Sequence, residues 1–172
     1  FEFIALVRRC VADLGVVLDS PESQISIVVP KSPVHIRADF RRVERIMRNL
    51  ISNALDHSDG KPIEIECVET RTEVAVSVRD HGEGMEEASL IRVFDRFWRA
   101  DPSRARTRGG TGLGLSIALE DARLHNGELD AWGAPGEGAN FVLTLPRIAG
   151  NAITGRPLPV NPHKRREVQI EL

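Results

Sequence analysis

The stretch leading into Asp80 constrains this chain more than any other. Val74, Val76 and Val78 recur at every second position, the period of a β-strand with one buried face. The same count puts Asp80 on the valine face. A carboxylate pointing inward at a strand end is costly unless a donor meets it. Gly82 and Gly84 follow at once in Asp80-His-Gly-Glu-Gly. Lacking side chains, they let the backbone come close to a flat ring. The amino group of an adenine would suit such a carboxylate. A carboxylate capping a D-x-G turn fits the same residues equally well.

The strand at Asp80 belongs to a longer series of elements. Phe3, Leu6, Val7, Cys10 and Val11 recur at helical spacing and predict a helix over 4–14. Ile25 to Val29 and Val34 to Ile36 read as two short strands around a turn at Pro30–Pro33. A long helix runs from Asp39, a suitable N-cap, to His57. Its apolar side is Phe40, Val43, Met47, Leu50, Ile51, Ala54 and Leu55, and Ser58-Asp59-Gly60 ends it. Ile63, Ile65 and Cys67 alternate with Glu64 and Glu66 in a further strand. Residues 112–126 regain helical character. Leu129 to Trp132 and Phe141 to Leu145 read as strands joined by the glycine-rich 133–138. This order predicts an α/β (α+β) two-layer sandwich, one mixed sheet with helices on one face.

Two stretches lack a period. Residues 81–111 hold glycines, an apolar cluster (Val93, Phe94, Phe97, Trp98) and Arg99, Arg104, Arg106 and Arg108. A loop of this length inside a compact domain is usually functional. After Pro146 the chain is Pro-rich and carries Lys164-Arg-Arg, so 147–172 reads as a disordered, mobile tail. The folded domain is therefore expected over 1–146.

Composition narrows the class. The 172 residues suit one domain, and a net charge of -2 argues against a general nucleic-acid binder. No apolar run reaches membrane-span length, and no signal-peptide pattern opens the sequence. Beginning with Phe1, it reads as a piece of a longer chain. Cys10 and Cys67 lie in apolar-periodic stretches, which predicts buried, reduced thiols.

Two more constellations carry chemistry. Asn49 and Asn53 are four residues apart and stack on one side of the long helix, with His57 continuing the stripe. A neutral amide oxygen suits Mg²⁺, which takes few protein ligands and fills its octahedron with water and phosphate. An isolated N-x-x-x-N pair more often bonds neighbouring backbone. The run Gly109-Gly110-Thr111-Gly112-Leu113-Gly114-Leu115-Ser116 leads into a helix, whose free N–H groups favour phosphate. Leu115 stands where the last glycine of a dinucleotide fingerprint would fall, and no Walker loop is present. A flexible, glycine-rich helix start remains the alternative.

In order and spacing these motifs resemble the catalytic domain of sensor histidine kinases. Asn49-Leu-Ile-Ser-Asn53 resembles the N box and Asp80-His-Gly82-Glu-Gly84 the G1 box. Phe94-Asp-Arg-Phe97-Trp-Arg99 resembles the F box and Gly110-Thr-Gly112-Leu-Gly114-Leu the G2 box. Gly136-Glu-Gly138 before the last strand is also similar. The resemblance covers about 1–146, and 119–125 with the Pro-rich tail looks most like actinobacterial members. It implies the Bergerat (GHKL) ATP-binding fold, a mainly antiparallel sheet with about three helices on one face. It also implies ATP and Mg²⁺ as ligands. Asn53 would hold the metal, with Asn49 near it, and both would be catalytic. Asp80 would take the adenine amino group. Arg99 would reach phosphate, and about 86–111 would form an ATP lid. Gly82, Gly84 and the run Gly110, Thr111, Gly112, Leu113, Gly114 and Leu115 would line the nucleotide, with His57 over the adenine.

The resemblance further implies partners: a dimerisation domain carrying the acceptor histidine, a response regulator, and a homodimeric, membrane-anchored parent with this domain in the cytoplasm. None of the five histidines stands in an H-E-x-x-x-P-type box, so no phosphoacceptor is assigned. Asp56 and His57 replace the basic residue and tyrosine frequent in relatives, which shifts phosphate contact onto the arginines. Ala139 replaces a frequent Ser or Thr, removing one possible hydroxyl contact near the base. The competing readings are an anti-sigma-factor-type serine kinase, another GHKL ATPase, and a non-catalytic nucleotide-sensing module.

Overall fold

Helix α1 (Phe3–Asp13) begins where the Glu2 carboxylate accepts from the N–H groups of Ile4 and Ala5. It buries Phe3, Leu6, Val7, Cys10 and Val11, the stripe that its periodicity foretells. Helix α2 (Phe40–His57) starts at Asp39, which caps the N–H groups of Arg41 and Arg42. The computed structural model describes residues 1–16, 24–99 and 111–164. Beyond the first two helices these form β1 (Ile25–Val28), β2 (Ile63–Glu69), β3 (Glu73–Asp80), α3 (Glu87–Arg92), α4 (Gly114–Leu124), β4 (Glu128–Ala134) and β5 (Gly138–Pro146).

The strands make one sheet in the order β1-β2-β3-β5-β4. Only the β1–β2 pair is parallel, because α2 carries the chain across between them. Register sets Val76 between Cys67 and Leu143, and Val78 between Ile65 and Phe141. These inner-face side chains join those of α1, α2 and α4 in one hydrophobic cluster, so all three helices pack on one face. Asp80 pairs with Ile63 at the end of that face. Both cysteines are buried thiols, and burial pushes Cys10 up to about 11 and Cys67 up to about 12.

Two expectations need correction. Val34 to Ile36 is not a strand of the sheet; His35 makes an isolated bridge with Glu2. The backbone bonds of this stretch go to the start of the chain: Phe3 N–H donates to Val34, and Ile36 N–H donates to Phe1. Val34 and Ile36 are therefore buried without reaching β1.

The second correction concerns the segment after Pro146. Residues 147–164 contain neither helix nor strand, yet they lie against the outer face of the sheet. Leu158 is buried on Ala75 and Val142, which alternate with the inner-face residues of β3 and β5. Asn140 donates to the Val160 carbonyl at 2.9 Å, and Arg156 pairs with Glu128 at 2.6 Å. The apolar outer residues Ala75 and Val142 explain the packing: a sheet face with apolar positions needs a cover. Residues 165–172 lie outside the described residues.

Glu73 anchors this strap. It is buried and accepts from the Thr154 N–H and from the hydroxyls of Thr154, Thr70 and Thr72. Burial pushes its pKa up, but those donors overcome it and hold the carboxyl at about 2, against an ordinary 4.5. A depressed folded pKa gives stability that is present above the ordinary value and lost as pH falls toward the folded one. Glu73→Gln should therefore cost about 2–3 kcal/mol at neutral pH. Thermal melts of the two proteins should converge between pH 4.5 and about 2.

Candidate nucleotide site

Asp80 points inward as its strand phase requires and is 1% exposed. Its Oδ1 accepts from the Gly82 N–H at 2.9 Å, which is the turn-capping role. Its Oδ2 is buried and has no partner among the described residues. Burial pushes the Asp80 pKa up, opposed by the backbone N–H groups of Gly82 and Ala139. One oxygen caps the turn, and the other is a buried acceptor. An orphaned buried acceptor is the feature that an adenine amino group would satisfy.

The glycines around Asp80 are required by close approach of backbone to backbone. A Cβ on Gly82 would stand 1.8 Å from the His57 carbonyl oxygen. A Cβ on Gly138 would stand 2.0 Å from the Asp80 carbonyl oxygen, and Gly138 has φ +80. Gly84, at φ +74, packs against the Ala134 and Gly138 carbonyls, and Gly136 N–H donates to Glu83 at 2.7 Å. The G1 loop is therefore fixed between the end of α2 and the β4–β5 turn. His57 lies at the same place, its Nδ1 3.3 Å from Glu83.

Asn49 projects from α2 onto the start of α4. Asn49 donates its Nδ2 to the Gly114 carbonyl at 2.9 Å. A Cβ on Gly114 would press on Asn49 Oδ1 at 3.3 Å, so a glycine lets the two helices close here. Asn49 thus bonds backbone, at the end of the glycine-rich run that leads into α4. Asn53 is half-buried and makes no side-chain hydrogen bond among the described residues, leaving its amide oxygen available.

The F-box segment divides. Val93 is buried, Trp98 packs on the core and Phe94 meets Phe141 edge-on at 6.2 Å. Phe97 does not join them: it is 72% exposed with φ 63, and its N–H donates to the Gly112 carbonyl. The expected cluster of four is thus a cluster of three, because the left-handed turn at Phe97 spends that residue on holding Gly112. Arg99 is described and half-buried. Thr111, Gly112, Leu113, Gly114 and Leu115 lead into α4 as foreseen, while Gly110, Arg104, Arg106 and Arg108 lie outside the described residues.

One polar feature escaped the sequence reading. Asp121 in α4 is buried and accepts from Arg42 and Arg45 of α2. A signal was present: Asp121 sits at helical spacing between the buried Ala118 and Ala122, where a charge is out of place.

Residues 38–149 match the family of histidine kinase-, DNA gyrase B- and HSP90-like ATPases, and this chain belongs to it. It is 49% identical over 156 residues to the sensor histidine kinase MtrB of Mycobacterium tuberculosis (strain ATCC 25618 / H37Rv). MtrB of Mycobacterium leprae (strain TN) is 48% identical over 157 residues. Each match covers 91% of this chain but 28% of the relative, so the chain spans a minor part of these proteins' length. Among solved structures, the catalytic domain of histidine kinase ThkA shares the fold with a TM-score of 0.70 and 23% identity, covering 86% of this chain and 94% of that one. Full-length ShkA in complex with AMPPNP gives a TM-score of 0.68 at 26% identity, over 91% of this chain and 32% of that one. No helix of the described residues is long and apolar enough to cross a membrane.

Proposed function

We propose that this chain is the ATP-binding catalytic part of a sensor histidine kinase, with Asp80 and Asn53 at opposite ends of the nucleotide. The observation that carries this reading is the buried Oδ2 of Asp80, which has no hydrogen-bond partner among the described residues. In a fold of this ATPase family, that oxygen accepts from the adenine amino group, and Gly82 and Gly84 leave room for the ring. The α- and β-phosphates then run toward the N–H groups that open α4. The amide oxygen of Asn53, without a hydrogen bond among the described residues, fits Mg²⁺, a hard cation that takes few protein oxygens when phosphates are present. Bound there, the metal would neutralise phosphate charge, the main demand of phosphoryl transfer. Arg99 and the other lid arginines supply further positive charge.

The acceptor belongs to a dimerisation domain outside this sequence, and the phosphoryl group passes from it to a response regulator. A membrane-anchored, homodimeric parent follows from the same reading, as the relatives named MtrB are sensor histidine kinases. Asn49 separates this reading from that of an ATP-hydrolysing clamp. An amide cannot take a proton from attacking water. The purified chain should therefore bind ATP yet hydrolyse it at far below about one turnover per second.

Incubation with γ-labelled ATP and a separately purified dimerisation domain tests the proposal. Label should pass to a histidine of that domain, and only when both proteins are present. Rapid hydrolysis by the chain alone, or label on a serine of an added protein, would replace this reading with a clamp ATPase or a serine kinase. Bound ATP with no transfer to any acceptor would leave a nucleotide-sensing module.

A further inference from the structure

Helices α2 and α4 run antiparallel, and polar contacts join them like rungs. At the nucleotide end Asn49 donates to the Gly114 carbonyl at 2.9 Å. Farther along, Arg45 forks onto Asp121, Nε to Oδ2 and Nη2 to Oδ1, both at 2.7 Å. Arg42 adds a bond to Oδ1 at 2.9 Å. At the far end the Asp39 N–H donates to His125 Nε2 at 3.1 Å, while His125 Nδ1 lies 2.6 Å from the Asp121 carbonyl. The Asp121 side chain is 2% exposed, whereas those of Arg42 and Arg45 are 42% and 51% exposed.

This arrangement is more than packing demands. A buried carboxylate between helices is often no better for stability than an apolar pair of the same volume. What it supplies is register. A fork of two parallel bonds fixes both distance and rotation, which apolar side chains sliding past each other do not. Arg45 lies four residues before Asn49, one turn away on the same face. Asp121 lies seven residues after Gly114, on the α4 face that meets it. The fork therefore sets where the first turn of α4 stands relative to Asn49 and Asn53. Burial pushes the Asp121 pKa up, but the bonds from Arg45 and Arg42 overcome it and hold it below the ordinary value, keeping the carboxylate charged.

We propose that Asp121, gripped by Arg45 and Arg42, is a positioning residue that holds the phosphate-facing start of α4 in register with the asparagines of α2. This rests on the nucleotide reading of the site. It assigns the clamp to the phosphate half, leaving the adenine half at Asp80 to its own glycines.

The test separates the two halves by ligand. Adenosine reads the Asp80 end alone, and ADP reads the phosphate end as well. Both are titrated against the whole chain and its Asp121→Asn, Arg45→Met and Arg45→Lys variants, with binding followed by NMR chemical shifts. Asp121→Asn and Arg45→Met should lower ADP affinity about tenfold and leave adenosine within about twofold. Arg45→Lys, which keeps the charge but not the fork, should fall between wild type and Arg45→Met. Equal loss of both ligands would assign Asp121 a purely structural role and overturn the proposal, as would unchanged ADP affinity. If Asp121→Asn does not fold, the Arg45 pair decides, since Arg42 still partners Asp121 there. A wild-type chain that binds neither ligand would instead remove the nucleotide reading, and this inference with it.

Discussion

Replacing Asp80 with asparagine is expected to weaken ATP binding roughly ten- to hundredfold while raising the melting temperature of the nucleotide-free protein. The two effects share one cause. Asp80 Oδ2 is buried without a hydrogen-bond partner among the described residues, so in the empty protein the burial of this carboxylate is only partly offset, by the backbone N–H groups of Gly82 and Ala139. Asparagine has nearly the same shape and no charge. Its amide nitrogen, however, must face either the Gly82 N–H or the adenine amino group, donor against donor in both cases. The pH dependence follows from the sign of the shift. Burial raises the folded pKa of Asp80 above the ordinary 3.8. Wild type is therefore not penalised below the ordinary value, and loses stability as pH rises through the raised one. The melting-temperature gap between variant and wild type should open as pH rises and close in acid. Calorimetric titration with ATP and thermal melts across pH check the two halves. Unchanged affinity would remove Asp80 from the site.

The second large effect is expected at Gly138. Alanine there must adopt φ +80 and place its Cβ 2.0 Å from the Asp80 carbonyl oxygen. The left-handed conformation alone costs about 1–2 kcal/mol for a residue with a side chain. The contact adds more, because the obstacle is backbone rather than a side chain that can swing away. Gly138→Ala should cost about 3–5 kcal/mol in chemical denaturation. Nucleotide affinity should fall as well, since the displaced backbone is that of Asp80. Gly136 supplies the control. It has a similar φ of +75, but a Cβ there would meet nothing within 4 Å, so Gly136→Ala should cost about 1 kcal/mol. Similar losses at both positions would mean that conformation, not close approach, governs the turn.

Much of this molecule is legible in the order of its residues, and the reasons are local. The inward turn of Asp80 follows from a period of two. The N-cap at Asp39 and the stripe Asn49–Asn53 follow from helix geometry. The mixed sheet with three helices on one face follows from the order of elements. Where the reading failed, the cause was long-range. Val34 to Ile36 has strand composition, yet its hydrogen-bonding partners lie at the start of the chain. Residues 147–164 look unstructured because they pack through scattered residues, Thr154, Leu158 and Val160, rather than through a period. Asp121 stood out only as a charge among alanines, and its arginine partners lie 76 and 79 residues away.

In the proposed site Asp80 reads adenine while Asn53 and the start of α4 hold the phosphates. A crystal structure of the chain with a non-hydrolysable ATP analogue and Mg²⁺ tests it most directly. The adenine amino nitrogen should lie within hydrogen-bonding distance of Asp80 Oδ2, the metal on Asn53 Oδ1, and the phosphates between α2 and the first turn of α4. An analogue bound with its base away from Asp80, or with its phosphates turned from α4, would contradict the account.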